Sequence, residues 1–196
     1  MTATPLTPEE GHYLLALARA TIAETVGAPA VELPDPPSDR LNAPGAAFVT
    51  LRTRHSDLRG CIGSLEARRP LVEDVRENAI AAAFRDPRFP PVKAAELADL
   101  VVEVSVLTAP EPLDFDGPDD LLHKLRPNVD GARARPGVLI ERGWNRATFL
   151  PQVWEQLPSP EEFLASLCHK AGLPPNAWHW PDLKVWTYQV EKFEEE

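Results

Sequence analysis

Only two cysteines, at positions 61 and 168, occur in the 196 residues. Two thiols so far apart do not make a disulfide framework, and such sparing use predicts a reducing compartment, the cytoplasm. No apolar run approaches the roughly 20 residues needed to cross a bilayer. The segment Met1-Thr2-Ala3-Thr4-Pro5 has neither a basic start nor an apolar stretch, so no secretory signal is expected. Basic residues are in deficit: 20 Lys and Arg stand against 30 Asp and Glu, for a formal charge of −10. General nucleic-acid binding needs many phosphate contacts from Lys and Arg and is disfavoured, although a local basic pocket stays open. The five histidines, at 12, 55, 123, 169 and 179, lack the paired spacing of a zinc site, and Cys168 beside His169 is not a ligand pattern. Phosphate loops, dinucleotide fingerprints and internal repeats are missing too. The expectation is a protein without metal or cofactor.

What the chain does have is length for one domain with a substantial core, and 22 prolines, against a usual share of about 5%. Thr7-Pro8-Glu9-Glu10 is a capping box that opens a helix through Leu14, Leu15, Ala18 and Ile22 to Gly27. A proline-rich connection, 28–45, reads as extended loop. Residues 46–53 and 58–63 read as a hairpin around the turn Arg54-His55-Ser56-Asp57. A helix is predicted from Pro70 to Phe84. Over 101–108, Val102, Val104 and Val106 alternate with Glu103 and Ser105, predicting a strand with one buried and one wet face. A short helix at 118–125, a polar loop at 126–136, strands at 138–141 and 148–153, a helix from Ser159 to about Gly172 and a last strand at 183–193 complete the reading. Strand pairs joined by short turns predict an α+β fold with a largely antiparallel sheet flanked by helices. The early strand pair and the last strand are expected to pair. Residues 1–4 and the acidic tail 194–196 are expected to be disordered.

The candidate chemistry centres on Leu58-Arg59-Gly60-Cys61-Ile62-Gly63. Glycine weakens a strand, so Gly60 and Gly63 point to unusual backbone or to close approach by another group, such as a ligand. Strand alternation puts Arg59 and Cys61 on one face. Cys61 is then either a nucleophile whose thiolate is helped by the Arg59 guanidinium, or a small buried hydrophobe. In Arg85-Asp86-Pro87-Arg88-Phe89 the prolines stiffen a loop, where Asp86 is a candidate base and Arg88 a candidate anion clamp. An Asp86–Arg88 ion pair that only fixes the loop is the competing reading. Gln152, polar within an apolar run, could read a ligand or satisfy buried backbone. Cys168 falls on the apolar side of its helix and reads as core. His169 and Lys170 suit the helix C-terminus. The five tryptophans all lie between 144 and 186 and read as a C-terminal aromatic core.

The hexapeptide Leu58–Gly63 resembles the signature of the AMMECR-type domain family, known in bacteria as AmmeMemoRadiSam system protein A. Phe48-Val49-Thr50-Leu51, Asp86-Pro87-Arg88-Phe89, Glu103-Val104-Ser105-Val106-Leu107, Leu150-Pro151-Gln152-Val153 and Cys168 with Lys170-Ala171-Gly172-Leu173 match in the same order. The resemblance runs from about Gly11 to Glu194. It implies an α+β fold with a larger and a smaller lobe, a functional site at the hexapeptide, and the company of radical-SAM and Memo-like proteins. It implies no settled activity. Three functions therefore compete. One is an enzyme taking a small anionic substrate at Cys61, with Arg59 and Arg88 as clamps. The second is a non-catalytic partner of the radical-SAM and Memo-like proteins. The third is local RNA or nucleotide binding through Arg52, Arg54, Arg59, Arg68 and Arg69.

Overall fold

The structure, a computed structural model, describes residues 5–126 and 135–196. Their elements sort into two compact units. The first takes the chain up to Thr108 and regains it at Glu191–Glu196; the second is Ala109–Val190. Among the described residues no helix is long and apolar enough to cross a membrane. Most of the loop expected at 126–136, and the expected disorder of residues 1–4, fall outside the described residues.

The first unit begins with α1, Pro8–Thr25. Thr7 and Glu10 cap it reciprocally and Pro8 occupies the first helical position, where its missing N–H costs nothing. The proline-rich connection follows, tightened by a 3-10 turn at Asp39–Asn42 that buries Leu41. Strands β1 (Pro44–Thr53), β2 (Leu58–Gly63), β4 (Leu100–Leu107) and β9 (Val190–Glu194) form a sheet in the order β2-β1-β4-β9, with the two-residue β3 (Arg69–Pro70) pairing the start of β1. Helix α2, Leu71–Phe84, packs with α1 on one face. Val49 and Leu51 of β1, Val102 and Val104 of β4, and Val75 and Ala79 of α2 belong to the core between them. The side chains of Phe48, Thr50 and Cys61 alternate onto the other face.

In the second unit, β5 (Glu111–Pro112), β8 (Lys184–Tyr188), β6 (Gly137–Arg142) and β7 (Asn145–Phe149) make a second antiparallel sheet in that order. Helices α3 (Gly117–Leu125) and α5 (Pro160–Lys170) share its core with the short α4 (Val153–Gln156). Ser159 caps α5 by accepting the Glu162 N–H. Phe163 is fully buried, stacked on Trp154 with ring centroids 3.5 Å apart and meeting Phe149 edge-on.

The α+β architecture and antiparallel pairing agree with the sequence, and several local expectations change. The strand expected at 148–153 is Asn145–Phe149. Pro151 cannot donate to a ladder, and the chain turns there instead, with Trp154 N–H bonded to the Pro151 carbonyl. The last strand, read as one piece, is two. The first half joins β6 in the second unit, and the second half lies beside β4, not beside the early hairpin. Glu103, assigned to the wet face, is buried. The Lys192 ammonium lies 2.6 Å from its carboxylate and Ser105 donates to it at 3.3 Å. The acidic tail is tied down: Glu195 receives the Arg19 guanidinium and the Val102 N–H, and its own N–H bonds the Val102 carbonyl. The aromatic core holds two of the five tryptophans, Trp154 and Trp178; Trp144 is fully exposed.

Candidate functional site

The hexapeptide is β2, the edge strand of the first sheet. Edge strands leave a row of N–H and C=O groups without a neighbouring strand. At Cys61 a loop after α2 supplies the missing partners. Asp86 accepts the Cys61 N–H at 2.9 Å, and the Arg88 guanidinium donates to the Cys61 carbonyl at 3.2 Å. On the sheet side Cys61 sits directly opposite Thr50, whose hydroxyl donates to Sγ at 3.3 Å. Three polar atoms of one residue are thus held from two elements. The side chain of Cys61 is only partly covered, whereas Cys168 is fully buried in the second unit's core, as its helix position predicted. Burial pushes the Cys168 thiol up.

Asp86 is buried and fully engaged. Besides Cys61, it accepts from Arg88 Nε at 2.9 Å, from Arg88 Nη2 at 2.7 Å and from the Arg88 N–H at 3.1 Å. The Arg88 guanidinium, more than the other bonds, holds its carboxyl well below the usual carboxylate range. Such a carboxylate is a weak base near neutral pH. Of the two readings of this loop, the Asp86–Arg88 ion pair is present, and it bonds both backbone atoms of Cys61. Arg88 is raised, first by Asp86 and to a smaller extent by the neighbouring Cys61. Its side chain is about half exposed.

Arg59 is placed differently from the strict alternation assumed for it. The register slips between Leu51 and Arg52, so that Arg52 faces Leu58 and Leu51 faces Gly60, leaving Arg59 as the extra residue of a β-bulge. Its guanidinium bonds Glu96 at 2.8 and 3.3 Å, and this pairing lowers Glu96. The Arg59 side chain is 12% exposed, and its Nη1 is buried without a hydrogen-bond partner. A buried donor left unpaired is uncommon and costly.

The two glycines answer to packing. A Cβ on Gly60 would stand 2.1 Å from the Ala82 carbonyl oxygen, so α2 approaches the strand backbone to backbone. A Cβ on Gly63 would stand 2.2 Å from the Phe48 ring, which lies across it from the opposite strand. Close approach was expected; in both cases the approaching group is the protein's own. A cleft of about 360 Å³ opens beside Gly63, lined by Ser64, Glu66, Arg68, Arg69 and Asp74. Gln152 belongs to the second unit, exposed at the turn into α4. The arginines proposed as a basic patch have local partners: Arg54 bonds the Ala98 carbonyl, Arg68 bonds Glu66, and Arg69 lies 3.5 Å from Asp74.

Sequence reasoning missed Thr50 and Glu96. Thr50 carried a signal, since it lies two residues from Phe48 on a recognisable strand and therefore on the same face. Glu96 carried none, because its meeting with Arg59 depends on where a 3-10 turn, Ala94–Asp99, comes to rest. Among the described residues no group of three or more His, Cys, Asp or Glu side chains could hold a metal ion.

Comparison with known proteins places the chain in a family. A protein of Methanothermobacter thermautotrophicus is 43% identical over 202 residues, covering the whole of both chains. Protein TK0174 of Thermococcus kodakarensis is 44% identical over 200 residues, 96% of this chain and 91% of the relative. The crystal structure of the uncharacterized protein PH0010 from Pyrococcus horikoshii superposes with a TM-score of 0.76 at 40% identity, covering 97% of this chain and 94% of that one. The family model described as AMMECR1 matches residues 15–193, spanning both units, and the chain belongs to the AMMECR1 family.

Proposed function

We propose that the partly exposed Cys61 is the reacting group of an enzyme site in the first unit, and that a small anionic substrate binds beside it. The observation that carries this reading is the holding of Cys61. Its N–H, carbonyl and sulfur are each bonded by a separate side chain, Asp86, Arg88 and Thr50. Cys168 differs in that its partners are backbone groups alone, the Leu173 N–H at its carbonyl and the Trp178 backbone at its thiol, whereas three side chains converge on Cys61. Asp86 is the positioning group, because a fully bonded carboxylate fixes geometry better than it moves protons. Arg88, half exposed beside the thiol, supplies positive charge for the substrate. The orphaned Arg59 Nη1 is a further donor in want of an acceptor on the same strand.

Competitive alkylation of the folded protein, read by mass spectrometry at both cysteines, tests the accessibility this requires. Cys61 is expected to react at least about tenfold faster than Cys168, whose thiol is buried. Equal protection of the two thiols would sink the proposal. Asp86→Asn keeps the size of the side chain and removes the charge; it is expected to alter the Cys61 rate while leaving Cys168 protected. Loss of biological complementation by Cys61→Ala, with circular dichroism unchanged, is the expected outcome for a reacting group; full complementation would rule it out.

A further inference from the structure

The second unit carries a tryptophan with nothing packed on it. Trp144 stands at the tip of the hairpin β6–β7 with a relative exposure of 103%. The turn is a two-residue one, closed by the pair Arg142 and Asn145. Gly143 supplies the left-handed conformation it requires, at φ +59°. The indole is therefore presented by a short, well-defined turn. Exposing so large an apolar group costs solvation, and tryptophan is the residue type most enriched where binding energy concentrates.

The same unit also carries a cleft of matching chemistry. A cleft of about 650 Å³, lined by Phe115, Trp180 and Trp186 and flanked by Asp114, Asp116 and Lys184, lies along β8 and the segment leading into α3. That volume falls in the range of roughly 300–1,000 Å³ typical of clefts that enclose drug-sized groups. The charges correspond as well. Trp144 is flanked by Arg142 and Arg146, and the cleft has more carboxylates than cations among these residues. Arg142 pairs with Asp182 at 2.8 Å and Arg146 with Glu141 at 3.7 Å, both at the surface, where ion pairs exchange partners at little cost. Knob and cleft are neighbours, because the Arg142 guanidinium lies 4.3 Å over the Trp180 ring that lines the cleft.

We propose that this surface binds a second copy of the chain, Trp144 of each entering the Phe115–Trp180–Trp186 cleft of the other, with Arg142 and Arg146 facing Asp114 and Asp116. A knob and a hole side by side on one surface suit a two-fold arrangement, in which residue i meets residue j and j meets i. Such an arrangement closes at two copies. It is independent of the chemistry at Cys61.

Sedimentation equilibrium of the full chain, from about 1 to 100 μM, tests it. A monomer–dimer equilibrium is expected within that range. Trp144→Ser is expected to weaken it by roughly 100-fold, as the loss of a central aromatic anchor does. Because Trp144 packs on nothing in the single chain, this variant keeps its fold, which circular dichroism checks. Asp116→Lys, from the opposite side of the contact, is expected to weaken the dimer by roughly tenfold. A wild-type chain still monomeric at the top of the range overturns the proposal. So does a dimer that neither substitution disturbs, or a ladder of larger species, which would mean an open contact.

Discussion

Each unit holds one cysteine, and the two are built into their surroundings in opposite ways. Cys168 lies in an apolar core among α3, α5 and the second sheet, and its burial raises the thiol. Cys61 lies on the edge of the first sheet with named partners for N–H, carbonyl and sulfur, and part of its surface stays open. The contrast extends to the units. The second is held at its centre by stacked rings, with Trp154 on Phe163. Around its hexapeptide the first is held by charge pairs, Asp86 with Arg88 and Arg59 with Glu96, and by direct contact of helix and strand backbone at Gly60. The difference teaches that a buried thiol is satisfied by packing and nearby backbone, whereas an edge-strand thiol is positioned by side chains brought to it from other elements.

The ring-packed side of the comparison has the largest effect to lose. Phe163→Ala removes a fully buried ring and leaves a cavity between Trp154 and Phe149, with an expected loss of about 3–5 kcal/mol. All the tryptophans lie in the second unit, between 144 and 186. Their fluorescence during urea unfolding therefore reads this loss directly, and an unchanged midpoint would deny Phe163 its place at the centre of the core.

The glycines sharpen the other side. Gly60→Ala drives a Cβ into the Ala82 carbonyl, a backbone atom that cannot turn aside, and should cost about 3 kcal/mol. Gly63→Ala meets a ring instead. Phe48 is partly exposed and can swing, so about 1 kcal/mol is expected. Denaturation followed by far-ultraviolet circular dichroism ranks the two. Equal costs would mean that α2 yields as easily as a side chain does.

The smallest effect near neutrality is that of acid. Asp86 and Glu10, both buried in the first unit, titrate below their ordinary values of 3.8 and 4.5, chiefly because of Arg88 and Arg40. A carboxyl depressed in the folded state stabilises the fold fully above its unfolded value, and that stability drains away as pH falls through the folded value. The lowered carboxylates of the second unit, Asp120, Glu161 and Asp182, sit on exposed pairs worth little. Below about pH 3, dichroism should therefore decline before tryptophan fluorescence changes. Coincident transitions would show that acid does not distinguish the units.

Much of this was legible in the chain. The capping box at Thr7–Glu10 is local, since its two hydrogen bonds join residues three apart, so sequence identifies it without tertiary help. The hairpin 46–63 and the alternation of Val102, Val104 and Val106 were legible for the same reason. The bulge at Arg59 was not, because register slips when two strands meet, and one strand's pattern does not record the other's. The split of the last strand was invisible because the sheet that each half joins is set by β6 and β4, strands far away in the sequence. For Asp86 the stiff proline-flanked loop was visible, but not the fact that its carboxylate faces the backbone of a strand 25 residues earlier.

By itself, then, the sequence determined most of the helices and strands, the α+β class with antiparallel strands, and the family. These follow from spacings of two, three and four residues and from motifs that are contiguous in the chain. The tertiary structure decided what each site residue faces: Arg88 and the Cys61 N–H for Asp86, Ala82 and Phe48 for the glycines, the Glu96 carboxylate for Arg59, and solvent for Trp144. Long-range contact is set by how sheets and helices come to rest on one another, and no local periodicity encodes it.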